Sequence, residues 1–404
     1  MKKIAIFGIG RVGLPLALCF AEKNCKVIGV DVDKAKIDLL KAGKMPFFEE
    51  NAEPLLLKHI NKNLQVTTDI KLAIENSDAI ILTLGTPVDE HMNPIYTQIE
   101  KVFKDIIAYL RPGQTICLRS TVAPGTTEYL QRYIERHTNF KVGKDIFLAF
   151  CPERIAEGKA IEETGTLPSI IGGLDEASNK KASEVFKILT EKVLLTNSRS
   201  AELAKLYCNM YRYINFAIAN EFMMIAQTHE REIYEIINLV NSGYKRGGLM
   251  QPGLSAGPCL YKDGFFLVNK TPYTELISTS WKINETLPAY LIEEIKKKRD
   301  IRLSKVVILG MAFKKNIDDT RNSLSYKAKK IFLAEGAEVI THDPFIDDID
   351  ITIALKNADV VFVATNHDFY VNFGLKAIEN NVKKGCIVCD VWNIYNTDTI
   401  IFSL

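Results

Sequence analysis

The sequence predicts an α/β chain built of two Rossmann-like, doubly wound parallel-sheet domains joined by a helical central domain with a long spine helix. Three observations predict it. Short β-branched runs alternate with helical stretches near both ends, the pattern of parallel strands covered by helices on both faces. The same runs recur in the same order at the two ends: CKVIGVDVD, NSDAIILTLGTP and GQTICLRSTV are answered by AEVITHDPF, NADVVFVATNH and GCIVCDVWN. Between them, residues 198–241 contain no Gly or Pro and keep a helical apolar period. The expected domains are therefore 1–197, 198–300 and 301–404.

Taken in order, KKIAIFGIG is the first strand and a helix follows from Val12 to about Lys23. CKVIGVDV, SDAIILTLGTP, GQTICLRSTV and KDIFLAFCPER are further strands. The start, Met1-Lys2-Lys3 before an apolar run, looks superficially like a signal peptide. Its glycines and the break at Arg11 fit a strand better. The spine is one long helix or two. The Gly/Pro-rich segment SGYKRGGLMQPGLSAGPCLYKDG interrupts the helical pattern, which resumes from Thr279 to Arg299. KVVILG, from Lys305, opens the second α/β stretch.

Composition narrows the partners. With 51 Lys+Arg against 49 Asp+Glu in 404 residues, no basic excess exists to hold nucleic acid. At 47% hydrophobic and 25% charged, the chain can bury a sizeable core. No apolar run approaches the roughly 20 residues of a membrane span. The eight cysteines are scattered, which points to a reducing cytoplasm rather than a disulfide framework.

Gly8, Gly10 and Gly13 follow a strand and open a helix, the context of a dinucleotide fingerprint. Asp31, at the end of the next strand, is placed to accept hydrogen bonds from a ribose diol and favours NAD over NADP. The second half opens instead with Gly310-Met-Ala-Phe-Lys-Lys, offering Lys314 and Lys315, so two different nucleotides are expected. Cys259, after Gly257-Pro258 and ahead of a helical pattern, reads as a thiolate at a helix N-terminus. Asp263 follows four residues later. A cysteine, a carboxylate and a nicotinamide together point to covalent catalysis on an aldehyde, the ordinary alternative being a small core residue. Cys386 and Cys389 lie in an apolar strand and read as core. Lys205 and Asn209 share a helix face with Glu202, either as a site or as a solvated ion-pair face. Thr121 and Glu153 sit at carboxyl ends of strands, where such sheets bind ligands. The six histidines show no metal spacing and adjoin none of these motifs.

With these residues assembled, the chain resembles the UDP-glucose/GDP-mannose dehydrogenase family over essentially its whole length. The matching pieces are GIGRVGLPLA, LGTP, STVAPGTTE, CPERIAEG, ELAKLYCNMYRYINFAIANE, GPCLYKD and GMAFKKNIDDTRNS. The resemblance implies an NAD-binding first domain, a central domain for catalysis and homodimer formation, and a C-terminal domain that binds the UDP-sugar. It implies oxidation of the sugar C6 hydroxyl to a uronate by two NAD+, through a thiohemiacetal and a thioester on Cys259. Lys205 and Asn209 would stabilise oxyanion character, and Asp263, Thr121 and Glu153 would place the hydrolytic water. Arg11, Val12, Asp31, Lys36, Thr86, Thr121, Lys262 and Arg321 match cofactor positions. Glu153, Arg154, Ile155, Ala156, Glu157, Lys205, Asn209, Gly257 and Lys314 match the sugar-nucleotide site, and Arg246 matches an arginine that reaches a neighbouring subunit.

The chain departs from the family form at two places. Gly257-Pro258 and Tyr261 stand where two glycines and a proline are common, which alters loop shape and substrate fit. CPERIAEG replaces an NPEFLREG-like form and looks closer to the branch acting on UDP-N-acetylmannosamine. UDP-glucose, UDP-N-acetylglucosamine and GDP-mannose stay open as substrates, as does a catalytically silent sugar-nucleotide-binding protein.

Overall fold

The computed structural model describes residues 2–86, 88–90, 95, 97–268 and 272–404, with residue 98 described for its backbone alone. The chain forms two compact units: residues 1–208 with 265–270, and residues 209–264 with 271–404. The division falls within the spine helix, Ser198–Thr228.

In the first unit, eight strands form one sheet: β1 (Lys3–Phe7), β2 (Lys26–Val30), β3 (Leu64–Thr67), β4 (Ala79–Leu82), β5 (Thr115–Leu118), β6 (Phe147–Phe150), β7 (Ser169–Gly173) and β8 (Val193–Asn197). Their order is β3-β2-β1-β4-β5-β6-β7-β8. All neighbours are parallel except β6 and β7, the one departure from the expected parallel sheet. Both faces are buried, which explains why the strands read as continuous apolar runs. Ile4, Ile6, Val27 and Ile81 enter one core. The alternate residues Ala5, Phe7, Ile28 and Leu82 enter the other.

In the second unit, β9 (Lys305–Leu309), β10 (Glu338–His342), β11 (Val360–Val363), β12 (Ile387–Cys389) and β13 (Ile401–Ser403) are ordered β10-β9-β11-β12-β13, with only β13 antiparallel. The block β10-β9-β11-β12 reproduces β2-β1-β4-β5, so the internal repeat read from sequence is a repeat of topology. Val306, Ile308 and Phe362 pack on one face and Val307, Leu309 and Val363 on the other. Cys386 and Cys389 are buried, as core residues, and burial pushes the Cys386 thiol up to about 12.

The spine resolves into two helices, Ser198–Thr228 and Ile233–Asn241, parted at Glu230, whose φ is +54°. A left-handed residue cannot continue a right-handed helix. The helix expected from Thr279 starts one turn earlier and runs Glu275–Lys298. Among the described residues no helix is long and apolar enough to cross a membrane.

Asp390, directly after β12, is fully buried. Burial pushes its carboxyl up to about 6, against backbone amides of residues 392–395 that pull it down. The folded chain therefore binds this proton more tightly than the unfolded chain, so ionising Asp390 costs stability as pH rises from about 4 to about 6. Asp390→Asn should be more stable than the wild type at pH 7, by up to about 3 kcal/mol for a shift of about two pH units. The gap should close near pH 4. Urea unfolding at both pH values measures it, and an equal gap at both would sink the assignment.

Candidate active site

The three glycines of the first loop differ in what they permit. Gly8 has φ +87°, and a Cβ there would lie 2.7 Å from the Thr83 carbonyl oxygen. At Gly13 a Cβ would lie 2.1 Å from the Gly8 oxygen, so the helix Gly13–Glu22 packs against the strand only without a side chain. Gly10 faces open space, the room a pyrophosphate needs against the backbone. Thr83, which the sequence reading passed over, donates to the Gly8 carbonyl at 2.7 Å and fixes the turn. At the end of β2, Asp31 accepts from the Asp33 amide at 3.1 Å and from Lys36 Nζ at 2.8 Å. These residues fit a dinucleotide with a free ribose diol. Val12 lies at the head of the helix and Thr86 in the loop after β4.

A second group in this unit centres on the loop after β6. Arg119 is buried; its Nε donates to Glu153 Oε2 at 2.8 Å, and its side chain also reaches the Cys151 carbonyl and covers the Phe186 ring. The other Glu153 oxygen accepts from the Arg154 and Ile155 amides at 2.8 and 3.1 Å. Both oxygens of Glu153 are thus engaged within the protein. Arg154 donates to the Pro168 carbonyl and the Ala156 amide to Glu163. Glu49 takes the amides of Gly158 and Ala160, so carboxylates hold this loop along its length. Arg11 pairs with Glu157 at 3.1 Å, which brings the glycine loop and the CPERIAEG loop together. Arg119 signalled itself only as a charged residue closing an apolar strand.

Thr121 is half-buried, just before the helix Thr126–His137. Glu202 caps that helix: it accepts from the Gly125 amide at 2.6 Å and from the Thr127 amide and hydroxyl at 2.8 and 2.6 Å. Burial raises its carboxyl above the usual range, opposed by those hydrogen bonds. The face shared with Lys205 is therefore not a solvated ion-pair face. Lys205 is half-buried one turn further along the spine helix.

In the second unit, Asp263 is fully buried. It accepts from Asn209 Nδ2 at 2.6 Å and from Lys262 Nζ at 3.1 Å. Cys259 is exposed and heads Leu260–Asp263, a helix of a single turn. The expected place at a helix N-terminus is observed: Cys259 is the N-cap residue, and after Gly264, itself in αR geometry, the helical course resumes as Phe265–Val268. The loop before it is fixed from behind. Asn220 accepts from the Gly253 amide at 2.9 Å and donates to the Gly253 carbonyl at 3.1 Å. A Cβ at Gly253 would lie 2.3 Å from the Trp392 ring; at Gly257, with φ +104°, it would lie 2.5 Å from the Phe313 ring. Elsewhere in this unit Arg246 is exposed and lies over the Tyr244 ring, and Arg321 pairs with Asp319. Lys314 is half-buried, while Lys315 is paired with Asp368. Of the histidines, read as surface or core residues, His367 is core: it is fully buried, and its Nδ1 accepts the Asn316 amide at 2.8 Å.

Three domain profiles of one family match the chain in succession. They are the UDP-glucose/GDP-mannose dehydrogenase NAD binding domain (residues 2–190), central domain (199–286) and UDP binding domain (307–397). UDP-N-acetyl-D-mannosamine dehydrogenase of Methanocaldococcus jannaschii is 33% identical, covering 98% of this chain and 93% of its own. A solved UDP-D-ManNAc dehydrogenase from Pyrococcus horikoshii superposes with a TM-score of 0.90 at 30% identity, over 97% of this chain and 96% of that one. A UDP-glucose dehydrogenase from Pyrobaculum islandicum reaches 0.85 at 25% identity, over 96% and 94%.

Gly257 and Gly336 both have positive φ, but only Gly257 faces a ring; Gly336 faces open space. Gly257→Ala should lower kcat/KM by about a hundredfold, since strain of order 1–3 kcal/mol adds to steric overlap in the loop before Cys259. Gly336→Ala should only lower the melting temperature slightly. Steady-state kinetics on both variants decide it, and equal activity losses would refute a role for the Phe313 contact.

Proposed function

Since the chain belongs to the UDP-glucose/GDP-mannose dehydrogenase family, and is thereby an NAD-dependent nucleotide-sugar dehydrogenase, we propose that it oxidises UDP-N-acetyl-D-mannosamine at C6 to the uronate. The observation that carries the covalent route is the Asn209–Asp263–Lys262 cluster, one helical turn from Cys259. For the substrate, CPERIAEG and the activities named for the relatives above support the mannosamine derivative.

NAD, when bound, supplies the hydride acceptor for both oxidations. The glycine loop and Asp31 with Lys36 would hold its pyrophosphate and ribose, and the family resemblance assigns Arg11, Val12, Thr86, Thr121, Lys262 and Arg321 as further contacts. The C6 alcohol would first lose its hydroxyl proton and a hydride to NAD, giving the aldehyde; the Cys259 sulfur then adds to the aldehyde carbon, and the thiol proton passes to the carbonyl oxygen to give a thiohemiacetal. Loss of the C6 hydride and the hydroxyl proton leaves a thioester. Water adds to its carbonyl, the C–S bond breaks, and the uronate leaves as the thiol is restored. Lys205 stabilises the oxyanion that develops in each tetrahedral step. Asn209, whose amide donates to Asp263, aligns that carboxylate, and Asp263 orients Lys262 and the hydrolytic water with Thr121. Glu153, with both oxygens engaged, orders the loop from Arg154 to Glu157 for the sugar rather than acting as a base. Gly257, Lys314 and Arg246 complete the sugar-nucleotide contacts, Arg246 acting on a neighbouring subunit.

A homodimer through the central helices fits this reading, as does a cytoplasmic location. Tyr211, Ile218, Phe222 and Ile225 are exposed on the spine helix at heptad-like spacing, an apolar stripe that asks for cover. The domains in this reading are 1–197, 198–300 and 301–404.

NADH formation at 340 nm with UDP-N-acetylmannosamine, UDP-N-acetylglucosamine, UDP-glucose and GDP-mannose tests the activity. Two NADH per molecule of the mannosamine substrate are expected, and preference for another sugar moves the substrate assignment. Cys259→Ser should stall before acid release; normal turnover would end the covalent mechanism. Phe222→Glu should convert a dimer to monomer in light scattering, and an unchanged mass would exclude this face as the interface.

A further inference from the structure

The two sheets open with loops of the same geometry. The Gly8 amide donates to the Val30 carbonyl at 2.8 Å, and the Gly310 amide to the His342 carbonyl at 2.8 Å. Both glycines have positive φ, +87° and +93°, and both abut a threonine, Thr83 or Thr365. Asp31 after β2 and Asp343 after β10 are therefore equivalent positions, yet they differ in what they bind. Asp31 stays at the rim with Lys36. Asp343 is fully buried, and its Oδ2 accepts the amides of Met311 at 2.6 Å and Ala312 at 2.9 Å. These amides are the counterparts of Ile9 and Gly10. Oδ1 accepts the Phe345 amide at 2.9 Å, and His367 Nε2 lies 3.1 Å from Oδ2. Burial opposes the charge on Asp343, but these donors hold its carboxyl below the usual range.

His367 links this carboxylate to the rest of the loop. Its Nδ1 accepts the Asn316 amide, so the Nε2 proton points at Asp343. One carboxylate and one imidazole thus fix both ends of the 311–316 segment, which contains Lys314.

We propose that Asp343 is an internal anion standing where a ligand phosphate would sit in the C-terminal sheet, and that with His367 it is a positioning residue for the loop presenting Lys314 to the sugar nucleotide. This rests on the reading of that half as the UDP-sugar side. It explains how one fold serves twice without taking two dinucleotides. A phosphate cannot use amides that a protein carboxylate already occupies, so the second nucleotide is held by loop side chains.

The test uses the full-length enzyme with Asp343→Ala, and formate as the probe. KM for the UDP-sugar, and Kd for UDP by calorimetry, should rise about tenfold or more, as loss of a charged acceptor implies. KM for NAD should stay within about twofold of the wild type, a change of under about 0.5 kcal/mol. Formate should restore UDP affinity, while chloride at equal ionic strength should not. Unchanged KM, or a loss that formate fails to restore, overturns the proposal. Should Asp343→Ala not fold, His367→Gln keeps a donor towards Asp343 whereas His367→Asn keeps only the acceptor for Asn316. Each variant frees one link of the 311–316 segment, so both should weaken UDP binding while KM for NAD stays within about twofold, and unchanged UDP affinity in both overturns the proposal. If the wild type bound no UDP at all, the functional reading would fail by itself. The internal anion would then be judged by whether formate raises the melting temperature of Asp343→Ala but not of the wild type, and no such rise would overturn it.

Discussion

A parallel sheet leaves the amides of the loops at its carboxyl edge without strand partners, and what satisfies those donors governs most of this molecule. Around β1 a Cβ at Gly10 would meet nothing, which leaves room beside the glycine loop for an anion from outside. Around β9 the equivalent amides are bound by Asp343. The sheet order, the positive-φ glycine and the supporting threonine are alike in the two halves. The difference in ligand chemistry comes from where one aspartate side chain goes.

Buried carboxylates serve the same purpose elsewhere. Glu49 holds Gly158 and Ala160, Glu153 holds Arg154 and Ile155, and Glu202 holds Gly125 and Thr127. Each makes two or more hydrogen bonds to loop or helix-end amides, so each fixes the course of irregular backbone that no strand could direct. Burying a carboxylate is costly unless it is fully bonded, and that cost makes these loops stiff. Stiffness suits a dehydrogenase, because hydride transfer loses rate steeply with small displacements.

This also explains what could and could not be read from the sequence. The strands, the glycine loop, Asp31 and the internal repeat were legible because each is written in a short window of spacing and apolar period. Cys259, Asn209 and Asp263 could be nominated by residue type, but only the fold joins Asn209 to Asp263 across 54 positions. Arg119 and Glu153 are 34 positions apart, and nothing local to either announces the pair. The helical pattern after Cys259 is there, but its interruption at Gly264 between Leu260–Asp263 and Phe265–Val268 is not announced by apolar period. Antiparallel β7 was equally silent, because strand direction depends on the connection rather than on composition.

The loop before Cys259 shows why residue type alone was insufficient for the nucleophile. Cys259 is the N-cap of Leu260–Asp263, and helical geometry resumes after Gly264 as Phe265–Val268. The Gly253 and Gly257 positions admit the Trp392 and Phe313 rings, and Asn220 clamps the Gly253 peptide from both sides. Phe313 belongs to the same loop that Asp343 and His367 hold, and Trp392 follows Asp390 at the end of β12. Aromatic residues from two carboxyl-edge loops of the C-terminal sheet thus bear on the cysteine loop. The geometry that orders the UDP-binding domain therefore also sets the position of Cys259, and the two cannot be tuned independently.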